Sequence, residues 1–75
     1  MEAGSYADRF GHPPWISRHA MERMNTAAIT PRQLADALSN PAVPGTSPGT
    51  VNFVGGGITA VVNDEGMIVT VYTVD

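Results

Sequence analysis

The sequence predicts an α+β fold in which two N-terminal helices pack on one face of a small antiparallel β-meander. Three observations predict it. Apolar residues recur at helical spacing only in the first half of the chain, at Ile16, Ala20 and Met24 and again at Leu34, Ala35 and Leu38. Three apolar runs of strand length fill the second half, separated by glycine-bearing turns. Seventy-five residues, 43% of them apolar and including one Trp, two Tyr and two Phe, supply one small core and not two. Helical patterns followed by strand patterns segregate into a helical layer on a sheet.

Residues 1–14 (MEAGSYADRFGHPP) carry no sustained period and end in Pro13-Pro14, which reads as an arm or linker with a short turn around Tyr6 to Phe10. Residues 15–75 are then the single domain. The first helix is expected from about Trp15 to Asn25, its stripe formed by Ile16, Ala20 and Met24. The second has the clearest local signature. Thr30 is an N-cap, Pro31 occupies the first helical position, Gln33 completes a capping box, and Ile29 can staple onto Leu34. Asn40-Pro41 stops it, because the residue before proline avoids the helical region. Three prolines and two glycines make 40–49 a loop. The strands are expected at Thr50 to Val54, Ile58 to Asn63 and Met67 to Val74, joined through a hairpin turn at Gly55-Gly56-Gly57 and a turn at Asp64-Glu65-Gly66. In simple alternation the last strand places Met67, Val69 and Val71 on one face and Ile68, Thr70, Tyr72 and Val74 on the other.

Composition excludes several classes of function. With no cysteine, disulfides, thiolate metal sites and a cysteine nucleophile are ruled out. No apolar run is long enough for a membrane-spanning helix. The net charge is -3, yet all four bases are arginines (Arg9, Arg18, Arg23 and Arg32) within the first 32 residues. That distribution opposes broad coating of nucleic acid, which takes many phosphate contacts, and permits one small arginine-lined site. The two histidines, His12 and His19, have no metal-binding spacing, so no metal is expected. The turn and terminal acids Asp64, Glu65 and Asp75 read as solvated.

With Ile16 set at zero on a helical wheel, Arg23 falls at about -20° and His19 at about -60°. Arg23 then points with the apolar stripe, and a guanidinium so placed needs a partner or a polar cleft that His19 would share. Imidazole moves a proton near neutral pH, and a planar guanidinium braces charge developing on phosphorus, so the pair suits phosphate chemistry. The plainer alternative is that the Arg23 stem lies on the sheet edge with its head in water, and His19 is a solvated boundary residue. Thr70 and Tyr72 put hydroxyls at i, i+2 on one strand face, where they could bind a phosphate or simply serve as good strand formers. His12, beside Pro13, is either a surface residue or a second acid-base candidate.

The run Ser17-Arg18-His19-Ala20-Met21-Glu22-Arg23-Met24, then Ile29-Thr30 opening a helix that ends in Leu38-Ser39-Asn40-Pro41, then Gly66-Met67-Ile68-Val69-Thr70-Val71-Tyr72, resembles the small ribonuclease toxin domains of the barnase, EndoU, colicin and RelE fold group. Such domains form the C-termini of contact-dependent growth inhibition and other polymorphic toxins. The resemblance covers about residues 15–74. It implies an active site between helix and sheet, with His19 and Arg23 on the helix and Thr70 and Tyr72 on the late strand; Arg18, which adds to the local positive charge, is read as a substrate contact beside them. It further implies metal-independent, cofactor-free cleavage of tRNA or other RNA to a 2′,3′-cyclic phosphate, and a cognate immunity protein. The domain would be delivered as the C-terminal part of a larger effector and act in the target-cell cytoplasm. The chain departs from the pattern at Ala27-Ala28, where relatives carry an Arg before the Ile, and in its acidic balance. Those departures suit the alternative of a non-catalytic toxin or interaction module of RelE- or ParE-like fold.

Thr30→Ala is expected to lower stability by about 1 kcal/mol through loss of the N-cap bond, read as a lower urea midpoint at unchanged slope.

Overall fold

The computed structural model describes residues 4–45 and 47–74; Met1–Ala3 of the predicted arm, Thr46 of the predicted loop and the predicted terminal acid Asp75 lie outside them. In chain order the elements are α1 (Tyr6–Phe10), β1 (Trp15–Ile16), α2 (Arg18–Thr26), α3 (Pro31–Leu38), β2 (Val43–Pro44), β3 (Thr50–Gly55), β4 (Ile58–Asn63) and β5 (Met67–Thr73). The strands make one sheet in the order β1-β5-β4-β3-β2. β1 runs parallel to β5 and the other neighbours are antiparallel, so the α+β fold has three helices and a five-stranded mixed sheet. The predicted meander is its centre, β3-β4-β5, with strand bounds within one residue of expectation.

Three differences from the sequence reading have physical causes. First, the segment read as arm is built into the fold from Gly4 onward. Ser5 and Asp8 form a capping box for α1, and Gly11 closes it at φ 68°. Tyr6 is only 2% exposed, packed beside Phe10 and Phe53, and its hydroxyl donates to the Gly66 carbonyl while accepting from the Trp15 N–H. One buried aromatic in a five-residue helix produces no period, which is why the pattern was silent. Second, Trp15 and Ile16 pair with Met67 and Ile68 as a strand, and the helix begins after Ser17. Pro13-Pro14 favours extended backbone up to that point, and Ile16 reaches the core from the strand as well as it would from a helix. Third, the 40–49 loop contributes β2, whose Pro44 is tolerated because β2 is an edge strand.

The second predicted helix is realised with its predicted cap, but its inner face is corrected: Ala35 is exposed and Ala37 is buried in its place. Thr30 Oγ1 accepts from the Gln33 N–H, the Gln33 carboxamide oxygen accepts from the Thr30 N–H, and Pro31 opens α3. Leu34, Ala37 and Leu38 bury its inner face against β3 and β4, while α2 covers β5 through Ala20. Phe53, Ile58, Val62, Ile68 and Val71 are the fully buried centre of the one cluster that joins sheet to helices. Burying each such side chain stabilises the fold by about 1.5–3 kcal/mol. α3 comes so near β3 that a Cβ on Gly55 would lie 3.1 Å from the Ala37 Cα. Gly56 and Gly57, at φ 61° and 81°, make the expected hairpin turn.

Gly66 combines both reasons for glycine. Its φ is 92°, and a Cβ there would stand 2.8 Å from His12 Nε2 and 3.0 Å from a Phe10 ring carbon. Gly66→Ala is expected to cost about 1–3 kcal/mol from backbone strain alone. Tyr6→Phe, which leaves the Gly66 carbonyl without its buried donor, is expected to cost about 1–3 kcal/mol in chemical denaturation.

Candidate functional site

Ser17 ties α2 to the sheet. Its N–H donates to the Ile68 carbonyl at 3.1 Å, its hydroxyl donates to the Val69 carbonyl at 3.0 Å, and the same oxygen accepts the Ala20 N–H at 3.1 Å as the helix N-cap. One residue therefore caps the helix and attaches it to β5. Arg18 and His19, the first two residues after Ser17 in the helix, are held at the edge of β5 beside Val69.

β5 is irregular at that point. Val62 pairs with Ile68 and Val61 with Thr70, so Val69 is the extra residue of a β-bulge. The bulge reverses the alternation. Ile68 and Val71 both bury toward the helices, whereas simple alternation would separate them. Thr70 and Tyr72 pair with Val61 and Thr59, the residues of β4 out of phase with the core positions Ile58, Ala60 and Val62. They accordingly lie on the outer sheet face, away from the helices. Thr70 is half-buried and Tyr72 is exposed.

His19, Arg18 and Arg23 are exposed on α2. The expectation that Arg23 aims with the apolar stripe is corrected, because Ile16, the chosen origin of the wheel, is not in the helix. Measured from Ala20, which is 0% exposed, Arg23 lies about 60° and His19 about 100° to one side, while Met24 and Ala27 flank the buried line. Among the described residues no side-chain hydrogen bond joins His19, Arg23, Thr70 and Tyr72 to one another. The structure brings the start of α2 to the edge of β5 and leaves Thr70 and Tyr72 on the sheet face around that edge.

Of the aromatic group at the N-terminal end, sequence reasoning singled out only His12, as a surface residue or a second acid-base candidate. His12 is half-buried, its ring stacked on Trp15 at 3.9 Å between centroids and 15° between planes, with Nδ1 2.8 Å from the Pro13 carbonyl. Trp15 remains 48% exposed. A cavity of about 610 Å³ opens between the His12 loop and α3, lined by Tyr6, His12, Pro13, Ala35 and Leu38 among others, and none of the predicted site residues borders it. A smaller one of about 250 Å³ lies between Arg9, Phe10 and the ends of β3 and β4. No group of three or more potential metal ligands occurs among the described residues, and none of their helices is long and apolar enough to cross a membrane.

Comparison with protein-family models, with curated proteins and with solved structures found no match to the chain.

Ser17→Ala removes both the cap and the side-chain attachment to Val69. It is expected to lower stability by about 1–2 kcal/mol in urea unfolding, with the largest rise in amide exchange in the first turn of α2.

Proposed function

We propose that this chain is an RNA-cleaving toxin domain of the barnase, EndoU, colicin and RelE type, held in check by an immunity protein. One observation carries the reading: Ser17 fastens the first turn of α2 to the bulged edge of β5, so that Arg18 and His19 start from Val69, the neighbour of Thr70. Bulges concentrate next to active sites because they re-aim a side chain. The helical layer on a meander and the Ser17–Met24 run agree with it.

In this reading the scissile phosphate lies at the β5 edge. The ribose 2′-oxygen attacks phosphorus, the new P–O2′ bond forms as the P–O5′ bond breaks, and a 2′,3′-cyclic phosphate remains. His19 takes the 2′ proton or supplies one to the departing 5′-oxygen, water serving the other transfer. Arg23, one turn along α2, braces the phosphorane charge and Arg18 holds an adjacent phosphate, while Thr70 and Tyr72, on the outer face beyond the β5 edge, hold the strand where it crosses that edge. Exposure suits these side chains to a substrate that is itself a polyanion. The immunity protein would present carboxylates to the same arginines.

A second reading, a non-catalytic module acting by binding, draws on the exposed apolar residues Trp15, Val43, Val54 and Met67 of the sheet. The two separate in one assay, degradation of total RNA by the purified chain in EDTA. Cleavage is expected, with His19→Ala slower by about 10²- to 10⁴-fold at unchanged melting temperature. Absence of any cleavage would leave the binding module. Arg23→Glu is expected to weaken an immunity complex that plugs the site by several kcal/mol in titration calorimetry, through like-charge contact.

A further inference from the structure

We propose that Trp15, stacked on His12, is a base-stacking subsite that takes single-stranded RNA along the outer face of β1 and β5, with Tyr72 as a second platform. The proposal rests on the RNA reading above and names how that substrate is held.

Register places the elements of the subsite. Trp15 pairs with Met67 out of phase with the core pair Ile16 and Ile68, so it shares the outer face with Val69, Thr70 and Tyr72. Four residues of strand separate Met67 from Tyr72, on the order of 15 Å. An exposed indole and an exposed phenol thus stand at the two ends of a short strip, with Thr70 between them. Single-stranded RNA is recognised in this manner elsewhere, through bases stacked on aromatic side chains of a sheet.

The His12 ring supports Trp15 on one side, and its own position is set by the Tyr6 ring, met edge-on at 5.8 Å, and by Gly66 beneath it. An indole already stacked on one side loses less side-chain freedom when a base covers the other. Charge selects the occupant. Arg18 and Arg23 are exposed on α2, which starts at the β5 edge, whereas the outer-face residues of β5, β4 and β3 carry no charge. Asp64 and Glu65, at the β4–β5 turn, keep phosphates from the His12 end and so direct the backbone toward Arg18. Protein docking suits this face less well, because Asn52, Thr59 and Thr70 interrupt its apolar residues.

Trp15 is the one tryptophan in the chain, so its fluorescence reports the subsite directly. The His19→Ala chain, which does not consume the probe, is titrated with an eight-nucleotide oligouridylate. Saturable quenching that weakens with salt is expected, and in calorimetric titration, which needs no tryptophan, Trp15→Ala should lower affinity about 5- to 100-fold, with Trp15→Phe recovering most of it. On the His19 background intact, Trp15→Ala should raise KM for RNA by a similar factor and leave kcat nearly unchanged, whereas a purely structural loss would lower both kcat and the melting temperature. Should Trp15→Ala not fold, the quenching of the Trp15-bearing chain remains decisive. RNA cleavage with neither quenching nor a KM effect would overturn the stacking subsite and leave the ribonuclease reading standing. Quenching without cleavage would support the subsite and remove the ribonuclease. Emission that follows protein concentration and ignores the oligonucleotide would assign the face to a second copy of the chain and overturn the proposal.

Discussion

Two residues of parallel pairing, Trp15 with Met67 and Ile16 with Ile68, determine where α1, the His12 loop and α2 sit against the sheet. Without them α1, the His12 loop and α2 would be a chain tethered to a four-stranded sheet. With them, Tyr6 is brought under the β4–β5 turn, Ile16 joins the core, and Ser17 arrives at the carbonyls of Ile68 and Val69. A pairing so short is weak by itself, since two residues of ladder recover little of the ordering entropy. It persists because Tyr6 below it and Ala20 above it are buried in the same cluster.

That arrangement gives the sheet two unlike faces. The inner face carries Phe53, Ile58, Val62, Ile68 and Val71 under the helices, and the outer face mixes Asn52, Thr59 and Thr70 with exposed valines and aromatics. The bulge at Val69 is where the two patterns change over on β5. It lets a strand bury Ile68 and Val71 together while turning Thr70 and Tyr72 outward, and it occurs at the spot where Ser17 engages the same strand. Bulge and helix attachment therefore reinforce each other: each fixes the backbone of β5 that the other requires.

In the function proposed above, the substrate meets an edge rather than a cleft. The arginines of α2 and the hydroxyls of β5 lie on either side of one strand, so a ligand that engages both must be extended, flexible enough to cross the edge, and anionic where it passes α2. The single-stranded polynucleotide proposed above has those properties.

Local chemistry determined a good part of this protein from sequence alone. The capping box at Thr30 and Gln33 defined α3, because its partners are three residues apart and need no other element; the glycine turn at Gly56-Gly57 and the strands on either side followed from equally short-range preferences. Partners far apart in the chain were another matter. Tyr6 meets Gly66 across 60 residues, Ser17 meets Val69 across 52, and neither leaves a periodic trace. The side-chain directions of β5 depend on a one-residue bulge that only the opposing strand reveals, so Thr70 and Tyr72 were identified as a pair while their face was not. Arg23 was misaimed for a related reason, since the helix wheel had as its origin a residue that tertiary pairing had drawn into a strand. Sequence thus specified the elements whose stabilising contacts close within a few residues, and tertiary structure decided which face each functional side chain occupies, because that depends on pairing energies distributed over distant segments.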